Sequence, residues 1–179
     1  MFYTNLQHVH QNRTLKPRYA RTQATPQAVQ LDPEWDGSKD IFPGSVLSRK
    51  ADGKVTLADG KNAPAGLCGN WIAPVFGIDE VRVAGNWDVA MLVLGNDAIF
   101  AVEAPAFDIE GITVDKLEEI NSGKAVYLKP NENGLLTYDG NKQTAQTIAQ
   151  LIGMEGTNII LIAGATAIGA AEGGGGDSE

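Results

Sequence analysis

The alternation of apolar and polar positions changes character three times along the chain. Residues 11 to 35, "QNRTLKPRYARTQATPQAVQLDPEW", carry no apolar period. Lys16 and Thr25 each precede a proline, which disfavours helix at both places. Residues 1 to 40 are therefore expected to form an extended N-terminal arm. The turn-rich stretch "LDPEWDGSKDIFPG" follows, with Trp35, Ile41 and Phe42 as anchors where the arm meets the body.

From Gly44 to about Asp108 the pattern is that of β structure. Two short runs flank Asp52-Gly53, and an Asp-Gly pair there signals a tight hairpin, because glycine tolerates the positive φ of the turn. Three further runs, 81–84, 87–94 and 98–104, are separated by Gly-Asn pairs. The middle one is nearly all apolar, which suits a strand covered on both faces or lying at a subunit contact.

The last third mixes helix and strand. "TVDKLEEINSG" predicts a short helix, with Thr113 at its start and Gly123 at its end. "KAVYLKP" and "GLLTYDG" predict two strands linked by "NEN". In "NKQTAQTIAQLIG", Ala145, Ile148, Ala149 and Ile152 fall at i, i+3, i+4 and i+7, which predicts a second helix stopped by Gly153. "TNIILIAG" predicts a buried strand. The globular, β-rich part thus spans 41–165, and residues 166–179 form a Gly-rich acidic tail that composition alone marks as flexible. No repeat of solenoid length is present.

Charge alters this picture most at the N-terminus. The chain has 179 residues and a net charge of −8. Arg13, Lys16, Arg18 and Arg21 are the charged residues up to Leu31, so the arm is +4; the remaining 148 residues carry 10 cations against 22 acids, a net of −12. A body of that sign repels phosphate and argues against a nucleic-acid binder. A terminal segment of opposite sign is the pattern of an interaction tail. No apolar run reaches the roughly 18 residues needed to span a bilayer, and the polar N-terminus lacks the apolar stretch of a secretory signal.

Candidate chemistry is sparse. Both histidines, His8 and His10, fall in the arm, and no further ligand cluster accompanies them, so no metal site is expected. Without a histidine in the body, a Ser/His/Asp or Cys/His arrangement is excluded there. Cys68 is the lone cysteine, has no activating neighbour in sequence, and is expected to be a small buried apolar residue. The glycines of 173–176 lack the Lys-Ser/Thr and the helix of a phosphate loop. Asp79-Glu80 and Glu118-Glu119 are adjacent acids of the kind that usually sit in solvent; acid–base chemistry would require one to be buried. Trp35, Trp71 and Trp87 lie close to Gly or Asn, and "GNW" occurs twice. They suit anchors of a core or interface, and a glycan or other small-ligand platform is the competing reading. No cofactor and no catalytic residue is assigned.

"FPGSVLSRKADGKVTLADGKNAPAGLCGNWIAP" followed by "GNWDVAMLVLGNDAIFAVEAP" resembles the head decoration (cement) proteins of tailed bacteriophages, the lambda-type group. The shared features are an opening Gly-x-Val-Leu, a short hairpin, a small-residue stretch, then "VAMLVLG" and the "AIFAVEA" strand. The resemblance covers residues 42 to 163. It implies a non-enzymatic virion protein: a homotrimer on the outer capsid surface that clamps neighbouring subunits of the major capsid (coat) protein, with an N-terminal segment that orders on the shell. Nucleic acid and membrane are not expected partners. The longer arm and the acidic tail depart from the compact members. The expected fold is α+β and mostly β, a small β-barrel or β-tulip-like body with one or two short helices and an extended arm. On this reading Arg13, Leu15, Lys16, Arg18, Tyr19, Arg21 and Trp35 contact the coat, while Trp71 and Trp87 anchor the trimer or the core. Other virion parts, a head-fibre base or a tail component, are the nearest alternative.

Overall fold

The structure is a computed structural model, and it describes residues 15–17, 24–32, 41–69, 88–95 and 98–165. Eleven strands are present among them: β1 (Leu15–Pro17), β2 (Ala24–Gln30), β3 (Val46–Arg49), β4 (Val55–Leu57), β5 (Pro64–Cys68), β6 (Asp88–Leu94), β7 (Ile99–Glu103), β8 (Val126–Pro130), β9 (Leu136–Gly140), β10 (Ala149–Glu155) and β11 (Ile159–Gly164). One helix, α1 (Val114–Asn121), lies between β7 and β8. The strands make two antiparallel sheets, a six-stranded one in the order β1-β7-β11-β10-β8-β9 and a five-stranded one in the order β2-β6-β5-β3-β4. The mostly β, α+β class is as the sequence predicts, with one helix rather than two among the described residues, and the sheets do not close into a barrel.

The two sheets bury two apolar clusters. The larger lies between them and joins Val46, Leu67 and Leu94 of the five-stranded sheet to Phe100, Val102, Leu128, Leu136, Leu151, Ile160 and Ile162 of the six-stranded one. Ile112, just ahead of α1, closes one side of it. The smaller cluster holds Val29, Leu31, Ile41, Leu47, Val55, Cys68, Val89 and Met91, on the other face of the five-stranded sheet. Alternation along β6 serves both. Val89 and Met91 enter the small cluster, while Leu94 enters the large one and Leu92 packs against it. That is why its run reads as apolar at nearly every position.

The hairpin at Asp52-Gly53 forms as expected. Gly53 has φ +87°, and the Gly53 amide donates to the Lys50 carbonyl at 3.0 Å. Helix α1 also forms where predicted. Thr113 occupies its N-cap in extended geometry, but its hydroxyl makes no capping bond; Gly123, at φ +82°, follows its C-terminal end.

The helix expected over "NKQTAQTIAQLIG" does not form. Its second half is strand β10, paired with β8 and β11. The inward residues are Thr147, Ala149 and Leu151, a period of two, whereas Ala145 is exposed. The buried Asp139 carboxylate decides the outcome: Oδ2 accepts from the hydroxyls of Thr144 and Thr147 at 2.7 Å each. The Thr147 hydroxyl in turn accepts the Thr144 amide at 2.8 Å. These bonds give the backbone a turn in place of a helical one and aim Ile148 onward into the sheet. Gly153 marks a register shift in the β10–β11 ladder rather than a helix stop.

Candidate functional site

The described parts of the N-terminal segment are built into the body. Residues 15–17 and 24–30 are strands at one edge of each sheet. Leu15 faces Val102 and Pro17 faces Phe100 across β1–β7; Ala24 faces Leu94 and Gln30 faces Asp88 across β2–β6. β1 and β2 thus pair antiparallel with the consecutive strands β7 and β6, one in each sheet. Pro26 lacks an N–H and is tolerated on such an edge strand when its nitrogen faces away from the partner.

Side chains lock the end of this ribbon. Val29 and Leu31, 8% and 4% exposed, drop into the small cluster. Leu31 also bridges Val55 of β4 in parallel, and the Asp32 amide donates to the Val55 carbonyl at 2.8 Å. Since β4 is the far edge of the five-stranded sheet, this bridge draws the two edges of the curled sheet together, short of closure. Across the same seam Lys50 Nζ lies 2.5 Å from Asp32 Oδ2, and Arg49 Nη2 donates to Gln27 Oε1 at 3.0 Å. Arg49 Nη1 also holds the Gly53 carbonyl at 3.0 Å, which ties the seam to the hairpin turn. The Asp32 side chain is 8% exposed, so its pairing matters more than that of a surface ion pair.

Of the arm residues singled out from sequence, the structure places Leu15 and Lys16 in β1; Arg13, Arg18, Tyr19, Arg21 and Trp35 lie outside the described residues. Trp71 and Trp87 lie outside them too, as do His8, His10, Asp79, Glu80 and the tail. Cys68 is fully buried in the small cluster, as expected. Glu119, one of the paired acids, bonds Lys116 Nζ at 3.0 Å and Asn141 Nδ2 at 2.7 Å. The Asn141 hydrogen bond, and after it that from Lys116, hold its carboxyl below the usual range. The same ion pair raises Lys116, whose ammonium also sits 3.8 Å from the centre of the Tyr138 ring. Asp59 is lowered by the Asn62 and Lys61 amides of its own turn. These carboxylates organise turns and a helix flank. No group of three potential metal ligands occurs among the described residues.

The seam residues Gln27, Val29, Leu31, Arg49 and Lys50 were not singled out from sequence. The signal was brief: Val29 and Leu31 alternate with polar neighbours, but for only two apolar positions.

The sequence pattern of the phage cement proteins matches residues 1–177. The chain belongs to the phage cement protein family. The match takes in the leader as well as the body, so both are parts of one family-wide unit. Among curated proteins and solved structures, none matches the chain. Membership makes this a capsid-associated structural protein of a bacteriophage virion.

Proposed function

We propose that this cement protein binds the outer surface of the phage capsid as a homotrimer and clamps neighbouring coat subunits together. The observation that carries the reading is the family match over a chain whose cationic leader is strapped along the edges of both sheets. Pairing at β1 and at Ala24–Asp32 anchors the leader at two places, and Arg13, Lys16, Arg18 and Arg21 lie in or within four residues of β1 in the sequence. Leu15 and Lys16 sit on β1, an edge strand to which a coat segment can add by backbone pairing. Arg13, Arg18, Tyr19, Arg21 and Trp35 supply the side-chain contacts. Charge steers the encounter, since each exposed ion pair is worth about 0–1 kcal/mol. Backbone pairing and anchors provide the hold, and repetition across a trimer adds avidity.

Co-sedimentation with capsids of its own phage, prepared without this protein, tests the reading. Full-length protein should bind to saturation and raise the temperature at which the particles release DNA. Replacing Arg13, Lys16, Arg18 and Arg21 with Gln should weaken binding by about tenfold or more, with a reduced salt dependence. Failure of the full-length protein to bind would end the proposal.

A further inference from the structure

We infer that copies of this chain meet by a knob-in-cleft contact: Ile109 of one copy inserts into the apolar cleft between β5 and β6 of the next. This rests on the homotrimer reading and supplies the contact that the trimer needs.

The cleft exists because a ladder stops early. Strands β5 and β6 pair only at Leu67 with Leu92 and at Cys68 with Met91, so the start of β5 and the end of β6 are left unpaired with each other. A cleft of about 200 Å³ opens between them. Pro64, Ala65, Val93 and Leu94 line it from the five-stranded sheet, and Thr147 and Ile148 close it from the start of β10. The Thr147 hydroxyl is already engaged, with the Asp139 carboxylate and the Thr144 amide, so the lining asks for an apolar occupant. Val93 is 36% exposed there.

Ile109, at 47%, is the other exposed large apolar residue among those described. Its turn is pinned to β9. The Asp108 amide donates to the Leu136 carbonyl at 2.8 Å, the Leu136 amide to the Ala106 carbonyl at 3.1 Å, and the Ile112 amide to the Asp108 carbonyl at 3.1 Å. Asp108 Oδ1 accepts the Glu110 amide at 3.1 Å, and Oδ2 the Thr137 hydroxyl at 3.3 Å. Gly111 fits so closely that a Cβ there would collide with Thr137 Oγ1. A branched aliphatic side chain is thus presented on backbone that is already ordered, which is what makes a good anchor. In its own sheet, β8 and β10 separate β9 from β11, and Ile109 does not line its own chain's cleft. A neighbour's Ile109 is the occupant of matching chemistry.

Charge matches as well. Asp108 and Glu110 flank the knob. At the cleft, the Lys61 carbonyl accepts from Gln146 Nε2 at 2.9 Å, which sets the exposed Lys61 beside Thr147. The nearby Asp59 carboxylate is turned to the Lys61 and Asn62 amides, and no ion pair holds Lys61 or Glu110 among the described residues. An acid-flanked knob therefore meets a cation at the rim of the cleft, which fixes orientation and rejects the reverse approach. Knob and cleft are different surfaces of one chain, so the contact is heterologous, and three such contacts close a ring about a three-fold axis.

Sedimentation equilibrium of the purified full chain, carried to millimolar concentration without capsids, reads the contact. Wild type should associate to trimers, and Ile109→Val should do the same. Ile109→Asp should weaken association by about tenfold or more, because a carboxylate finds no partner in the cleft. Lys61→Glu and Glu110→Lys should each weaken it less, and the double variant should recover, since every contact then carries the pair reversed. All three positions are exposed, so thermal melting should match wild type. Should Ile109→Asp fail to fold, the charge reversal gives the same reading: recovery in the double variant supports the contact, and its absence overturns it. Trimers undiminished by Ile109→Asp give the cleft to another occupant and overturn the inference, with the homotrimer reading left standing. A wild type that stays monomeric overturns the inference too, and capsid co-sedimentation of the same preparation then decides the proposed function separately.

Discussion

The two apolar clusters of this small protein are built on opposite plans. The large one fills the space between two sheets and draws on strands from Val46 to Ile162, with Ala24 as the leader's one marginal contact among the described residues. The small one is enclosed by a single curled sheet, and two of its eight buried residues come from the leader. The first is the body's own core. The second takes Val29 and Leu31 from the leader and so depends on that segment's being in place.

The comparison can be broken most severely from the scaffold side. Leu128 is fully buried in the large cluster, and Leu128→Ala should cost about 3–5 kcal/mol, measured by denaturant unfolding. Removal of the Asp139 carboxylate comes next. Asp139→Ala strips the hydroxyls of Thr144 and Thr147 of their acceptor and Lys129 of its partner at 3.3 Å, at a cost of about 2–3 kcal/mol. Hydrogen exchange should rise first at the turn before β10 and in β10 itself.

From the leader side the effect should be smaller and local. Leu31→Ala should destabilise by about 2 kcal/mol. Its mark should be faster exchange in β2, β4 and β6 with β8 and β11 unchanged; uniform acceleration across both sheets would erase the distinction between the clusters. Deleting residues 1–31 sharpens the same point. The truncated chain should keep the large cluster, and so a cooperative transition, but bind a hydrophobic dye through the uncovered Val89 and Met91.

The smallest expected effect is titration of the α1 flank. Glu119 has a folded-state pKa below its unfolded one, so its contribution is fully present above the ordinary value of 4.5 and fades as pH falls through the lowered one. Lys116 is raised, so its share is present below its ordinary value of 10.5 and fades only as pH climbs beyond that. Asn141→Ala, which removes the main cause at Glu119, should move that carboxylate's NMR titration midpoint upward toward the ordinary value.

Much of the fold was legible because its local signals agree. Asp52-Gly53, the "NEN" link and the helix at 114–121 combine turn chemistry with matching apolar spacing, and each formed where expected. The segment at 141–153 misled because Ala145, Ile148, Ala149 and Ile152 satisfy a helical period while Thr147, Ala149 and Leu151 satisfy a strand's. A side chain just outside the segment, the Asp139 carboxylate, chose between them. The leader was harder still. Its pairing with β6 and β7 joins residues some sixty positions or more apart in the chain, and edge strands need few apolar side chains to be stable there. Two alternating positions, Val29 and Leu31, were all that the sequence displayed of the seam.

Cryo-microscopy of expanded capsids incubated with the protein is the most direct test of its role as a cement. The account predicts added density on the outer surface wherever coat subunits meet around a local three-fold, with the leader edge of each copy against the coat. Bare shells at saturating protein, or density confined to the capsid interior, would contradict it.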